Sequence, residues 1–314
     1  MWLLVEQLTP YAIAYTIPLL ITALGGLFSE RSGISNIALE GLMIVGSFAA
    51  ALTLHLLPSV YNTQALWLAL AVAAMAGAAF SLLHAFACVN LGTNQMISGM
   101  AINMVAGALT VFIARSFTGS GNILIEGMAR HSVFGMSEIP ILGKLFFTNS
   151  YATTWLVLAI GVICYVVIYK TVFGLRLRAC GEQPHAADAA GINVAKIRYI
   201  AVAISGVLSG LGGAIILVTY SGEFNGTVFG QGFLALVALI FGRWSVSGVC
   251  CACAFFGIAI TLANVSQAIP SLGIIPPVWL KIFPYLTTLL TLVFLSTESR
   301  APKALGEAFW RGKR

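Results

Sequence analysis

The chain has 314 residues, 59% of them hydrophobic and only 8% charged, with a formal net charge of +6 and a mean hydropathy of +0.97. Soluble domains carry about 25% charged residues, so this composition excludes a soluble globular protein and makes the bilayer the solvent. The basic residues sit in short loops between apolar runs rather than on one soluble face; that excludes a nucleic-acid binder and fits the charge bias that orients membrane proteins.

In chain order, the opening MWLLVEQLTP has no basic region, and no small-residue cleavage site follows, so the first apolar run reads as a retained span. A crossing helix needs about 20 largely apolar residues. Runs of that kind lie at 11–28, 34–57, 65–89, 96–114, 151–169, 199–219, 246–264 and 278–296. A shorter run at 233–241 is a half-helix, or joins its neighbour through a break at 242–247. The expected fold is all-α: a polytopic membrane helical bundle of about eight to ten transmembrane helices, forming one domain over 1–314.

Drawn with nine spans, this arrangement puts Arg31, Lys170, Arg176, Arg178, Lys196, Arg198, Arg243, Arg300, Lys303, Arg311, Lys313 and Arg314 on one side, and Arg115, Arg130, Lys144 and Lys281 on the other. The richer side is the cytoplasm by the positive-inside rule. The N-terminus is then external, and the basic tail 299–314, with Phe309 and Trp310, lies on the inner leaflet. The longest external connection, 116–150, is Gly-rich, contains Glu126, His131 and Glu138, and has an apolar piece at 139–147 that reads as a re-entrant or interfacial helix.

Polar residues inside spans are few. Glu40 is the one acidic residue within a predicted span, and an intramembrane carboxylate costs roughly 3 kcal/mol to insert. Asn36 and Glu40 are four apart, so a helix entered at Ile34 would put them on one face. Asn36, Glu40, Asn103 and Asn264 are the candidate pathway residues; the competing account makes them hydrogen-bonded bridges between helices. Asn90, Asn94, Gln95 and Gln267 carry the same two readings, while His55 and His84 are isolated. Gly206, Ser209, Gly210 and Gly213 have the small-residue spacing that lets helices approach closely. Phe224, Phe229 and Phe233 read first as packing residues, although aromatics of this kind could hold a flat base. No basic residue lies mid-span, which suits a neutral solute.

The stretch from Gly174 to Arg198, GLRLRACGEQPHAADAAGINVAKIR, is a polar island between two apolar runs. Pro184 suits a first helical position and pushes Gln183 out of the helical region. A short Ala-rich helix over 184–190 follows, and Gly191 stops it. The island reads as basic segment, turn, short helix, Gly stop and basic segment. Glu182 and Asp188 are read as acidic groups near the N-terminal half of the short helix, where they suit its dipole.

Absent motifs narrow the function further. There is no G-x-x-x-x-G-K-[ST] loop, so the chain does not bind ATP in that way, and there is no zinc-protease motif or nucleophile elbow. Cys88, Cys164, Cys250, Cys251 and Cys253 fall in apolar runs and read as small buried side chains; neither a metal site nor a disulfide framework is expected.

The island, continued through GINVAKIRYIAVAISGVLSGLGGA, resembles the cytoplasmic coupling segment of bacterial ABC importer permeases of the branched-chain amino-acid, ribose and nucleoside type. LFSERSGISNIALEGLMIVGSFAA is similar to the nucleoside branch, and GQGFLALVALIFGRW also fits the family. The resemblance covers roughly residues 10–298. It implies a multi-pass permease subunit of the bacterial cytoplasmic (inner) membrane, most similar to the shorter of two different permeases. Its implied partners are an ATP-binding subunit, a second and longer permease, and an external solute-binding protein or lipoprotein. The permease would bind no cofactor; ATP with Mg would sit on the partner, and the chain would not be an enzyme. Carried over, Arg178, Gly181, Glu182, Pro184, Ala187 and Gly191 would belong to a cytoplasmic coupling loop at 173–198, with Ala187 facing the ATPase groove. Alternatives are a permease of the same type for simple sugars or branched-chain amino acids and, from another class, an ion-coupled secondary transporter.

Overall fold

The computed structural model describes residues 2–57, 62–132, 137, 139–140, 143–265, 278–279, 282, 286 and 301–310. Most of the expected span at 278–296 lies outside the described residues, as do Glu138, Gln267, Lys281, Arg300, Arg311, Lys313 and Arg314.

Helices follow the apolar runs: α1 (Trp2–Arg31), α2 (Leu39–Leu56), α3 (Asn62–Val89), α4 (Gln95–Thr118), α5 (Ala152–Lys170), α6 (Val172–Glu182), α7 (Pro184–Ala189), α8 (Val194–Ile216), α9 (Gln231–Phe241) and α10 (Val246–Val265). Among the described residues, seven are long and apolar enough to cross a membrane. Their backbone groups are satisfied within each helix, as a bilayer requires. α9, at 11 residues, rises about 16 Å and cannot cross alone. It is the expected half-helix. Arg243 and Trp244, both with positive φ, turn the chain into α10.

The bundle is organised on α8, which packs against α1, α2 and α3. Its small residues make this possible. A side chain on Gly206 would run into Ser81 and the carbonyl of Gly77, and one on Gly210 into the carbonyl of Ala73. On Gly213 it would strike the carbonyl of Met43. These are backbone-to-backbone approaches that dispersion rewards and that any Cβ forbids.

The two ends of α1 differ. Near its start, Lys144 lies 4.0 Å from Glu6, and the Arg130 guanidinium lies 4.6 Å from the Tyr11 ring centroid and 5.0 Å from that of Tyr151. At its far end Arg31 donates from Nε and Nη2 to the Trp244 carbonyl, at 2.9 and 2.6 Å. The connection 116–150 contributes a two-residue strand, β1 (Ile123–Leu124), antiparallel to β2 (Glu223–Phe224). Its apolar piece forms a five-residue wide turn over Gly143–Phe147.

Candidate functional site

The stretch between α1 and α2 does not continue the helix. Gly33 takes φ +94°, and residues 34–36 run without helical structure before a turn at 37–38. Asn36 therefore stands outside α2, and the expectation that it shares a helix face with Glu40 is corrected. The physical reason is local: Asn36 Oδ1 accepts from the Ala38 amide at 3.2 Å, a side-chain turn that competes with the helix. Its Nδ2 donates to Ser205 Oγ at 2.8 Å. Ser205 lies eleven residues into α8, about 16 Å along that helix, so irregular backbone penetrates the bundle.

Such backbone survives in a membrane protein only if each polar group finds a partner. The partners here are the amides and imidazole seen as isolated polar residues. Gln95 Oε1 accepts from the Ser35 amide at 2.6 Å, and His84 Nε2 lies 3.1 Å from the Ser35 carbonyl. Asn103 spans the break: Nδ2 donates to the Ile37 carbonyl at 2.9 Å and Oδ1 accepts from the Gly41 amide at 2.7 Å. Ser29 Oγ donates to the Ile34 carbonyl at 2.8 Å.

Glu40, 7% exposed, holds the second discontinuity. Its Oε1 accepts from the Gly230 amide at 2.9 Å and its Oε2 from the Gly232 amide at 2.7 Å. These are free amides at the N-terminus of α9, where the helix dipole favours an anion. Gly232 has no room for a side chain, because a Cβ would meet the Glu40 backbone. So Asn36, Glu40 and Asn103 are brought together as the bonding that closes two broken helices against each other. Asn264 is elsewhere. It lines a cavity of about 690 Å³ between α1, the end of α8, α9 and α10, with Tyr15, Tyr220, Glu223, Phe229 and Gln231.

The island sits at the Arg31 end of α1. Its basic segment is itself helical, a correction to the coupling-loop reading: α6 occupies 172–182, with the Thr171 hydroxyl accepting from the Gly174 amide at 3.2 Å. That Thr was the sequence signal for a helix start. α7 covers 184–189 with Pro184 first, and Gln183 leaves the helical region at φ −148°; Gly191 turns at φ +82°. Asp188 is not in the first turn of α7, and Glu182 ends α6, so the dipole argument for both is withdrawn. Glu182 Oε1 instead lies 3.9 Å from Arg31 Nη1. Gly181 abuts the Arg31 carbonyl, and its own carbonyl accepts from the Ala304 amide at 2.9 Å. Pro184 and Ala187 are buried within the chain, while Gln183, His185, Ala186, Ala189, Ala190 and Gly191 are exposed. The Arg178 guanidinium lies 5.7 Å from the Tyr169 ring centroid.

Residues 301–310 strap this face. Gly306 N donates to the Gly33 carbonyl at 3.1 Å, and Arg198 Nη1 to the Glu307 carbonyl at 3.0 Å. The Phe309 ring lies 5.1 Å from that of His185.

Residues 9–292 match the family described as "Branched-chain amino acid transport system / permease component". The chain belongs to this permease family. It is 43% identical over 310 residues to the guanosine ABC transporter permease protein NupQ of Bacillus subtilis (strain 168), covering 98% of this chain and 97% of that protein. It is 40% identical over 303 residues to the nucleoside ABC transporter permease protein NupC of Lactococcus lactis subsp. cremoris (strain MG1363), covering 96% of each. To the putative glucose ABC transporter permease protein TsgC13 of Haloferax volcanii it is 31% identical over 320 residues, covering 93% of this chain and 94% of that protein.

In this permease the cavity residues Tyr15, Tyr220, Glu223 and Gln231 went unnoticed in the sequence. They come from separate elements and carry no shared spacing; only Gln231, a lone amide opening an apolar run, offered a signal. Of the three phenylalanines, Phe224 is buried against Phe48 at 5.5 Å, Phe233 is exposed, and Phe229 lines the cavity.

Proposed function

We propose that the chain is the transmembrane permease subunit of an ATP-driven importer for nucleosides, in the bacterial cytoplasmic membrane. The observation that carries this reading is the near full-length similarity to guanosine and nucleoside permeases. The broken helices support it. Paired discontinuities deep in a bundle mark solute sites in transporters, where rigid segments can rock about a fixed point. The partners are an ATP-binding subunit carrying ATP and Mg, a second and longer permease, and an external solute-binding protein. The permease itself does no covalent chemistry.

Coupling runs through the island. α7 packs against α6 and the start of α8, α6 abuts the end of α1 at Gly181, and Arg31 ties α1 to the turn between α9 and α10. A push on α7 therefore reaches three elements whose distant parts line the cavity. ATP binding by the partner would bias this bundle between two arrangements.

The exposed face of α7 is the one available to the ATPase. Ala186→Trp is expected to abolish uptake and weaken ATPase pull-down while the permease elutes as a folded species. Ala187→Trp, on the buried face, is expected to lower the permease's own thermal stability. Wild-type ATPase binding and uptake by Ala186→Trp would remove α7 as the docking helix.

Orientation has its own test. With Cys251 replaced by Ser, Ala190→Cys should react with a membrane-impermeant maleimide only in inside-out vesicles. Cys180 should stay silent, because it is fully buried and burial raises its thiol pKa. Labelling of Ala190→Cys in intact cells would invert the topology. The solute is decided by uptake in proteoliposomes holding the whole complex: labelled guanosine should accumulate, and leucine and glucose should not.

A further inference from the structure

The cavity between α1, the end of α8, α9 and α10 is built for a particular chemistry. Its volume of about 690 Å³ lies within the range of about 300–1,000 Å³ found for small-molecule sites. Gln231 is 6% exposed, yet its side-chain oxygen has no hydrogen-bond partner among the described residues, and neither has the buried hydroxyl of Tyr220. Buried polar atoms are almost always paired. Both residues line one cavity, and a ligand drawn into it that reached these two buried atoms would pair them.

Aromatic groups flank these atoms. The Tyr15 and Tyr220 ring centroids are 4.6 Å apart. Phe229 is 57% exposed and held at φ +57°, a conformation that bulky residues rarely adopt and that surrounding structure must enforce. Glu223 adds a carboxylate, positioned by Asn122 Nδ2 at 2.6 Å. Among the described residues, no Lys or Arg lines the cavity.

Resting on the nucleoside reading above, we infer that this cavity is the permease's own nucleoside site: Gln231 accepts a base N–H, Tyr220 bonds a second polar atom of the ligand, Phe229 covers the ring face, and Glu223 accepts from a ribose hydroxyl. The arrangement selects in two ways. A base without any N–H leaves the Gln231 oxygen unpaired and is rejected, because a site built to bond a group discriminates strongly against its absence. A 5′-phosphate meets the Glu223 carboxylate and, among the described residues, no cation, so nucleotides are disfavoured as well.

The test uses the complete complex in proteoliposomes, with competition against labelled guanosine uptake. Two competitors are compared: unlabelled guanosine, and purine riboside, whose base bears no N–H. Wild-type complex should prefer guanosine by about tenfold. In Gln231→Leu that preference should fall to about twofold or less; a variant that merely folds poorly would lose uptake without losing the ratio. Phe229→Ala, at an exposed ring, should raise the guanosine KM about tenfold, and Phe229→Trp should restore it. If wild type carries guanosine but Gln231→Leu keeps the preference and Phe229→Ala keeps the KM, the site assignment falls and the nucleoside reading stands. If wild type takes up glucose or leucine and no guanosine, the nucleoside reading fails and the site assignment goes with it.

Discussion

Gly213→Leu should yield no folded permease. The position has no outlet: a Cβ there would coincide with the backbone carbonyl of Met43, which cannot rotate away as a side chain would. α8 could accommodate it only by separating from α2, and α8 is the helix on which α1, α2 and α3 converge. Overpacking a core costs about 1–3 kcal/mol even where side chains can yield. A backbone collision on the central helix should exceed that and consume much of a stability that is only about 5–15 kcal/mol in ordinary domains. The measurement is the monodisperse fraction after detergent extraction, by fluorescence-detected size exclusion. Gly107→Ala is the control, since nothing lies within 4 Å of a Cβ there, and it should express at the wild-type level. Wild-type yield from Gly213→Leu would mean that α8 does not approach α2 as described.

Glu40→Ala should cut transport about tenfold or more in a permease that still inserts. The amides of half-buried Gly230 and buried Gly232 lose the acceptors described for them, at about 1–3 kcal/mol for the buried one. The first turn of α9 then has no anchor, and Gln231 sits in that turn. Uptake should fall to about a tenth of wild type or less, the loss of ordering being worth about 1.4 kcal/mol per tenfold. Glu40→Gln keeps one acceptor oxygen but turns an NH₂ toward the second amide, so it should fall between Ala and wild type. Uptake in proteoliposomes, with thermal stability measured alongside, separates the three. Full transport by Glu40→Ala would show that α9 is held by something else.

The spans were legible because twenty apolar residues in a row have few other uses, and 233–241 announced itself as too short to cross. Less was legible where structure depends on what faces what. Spacing placed Asn36 and Glu40 together on a helix, but Gly33 and the side-chain turn of Asn36 stop the helix before it starts. The amides looked like either pathway or bridge, and the hydrogen bonds that Asn103 and Gln95 make to the broken backbone depend on where that backbone lies. The short helix at the island was visible from Pro184 and Gly191. Which of its alanines faced outward was not, because Ala186 and Ala187 are identical until α8 packs against one of them. The cavity was invisible for the same reason: Tyr15 and Asn264 meet only when α1 and α10 do.

The strap formed by residues 301–310 bears on the order of assembly. Arg198 is buried to 1% exposure at the head of the central helix, and one of its two described acceptors, the Glu307 carbonyl, comes from 109 residues downstream. During synthesis the island and α8 emerge long before that carbonyl exists. Until it arrives, the guanidinium must stay hydrated, and the face at the Arg31 end of α1 stays open at Gly33 and Gly181. This face is therefore completed only after the helices that carry it, so a chain interrupted late in translation would hold the early helices with the face at Gly33 and Gly181 still unstrapped.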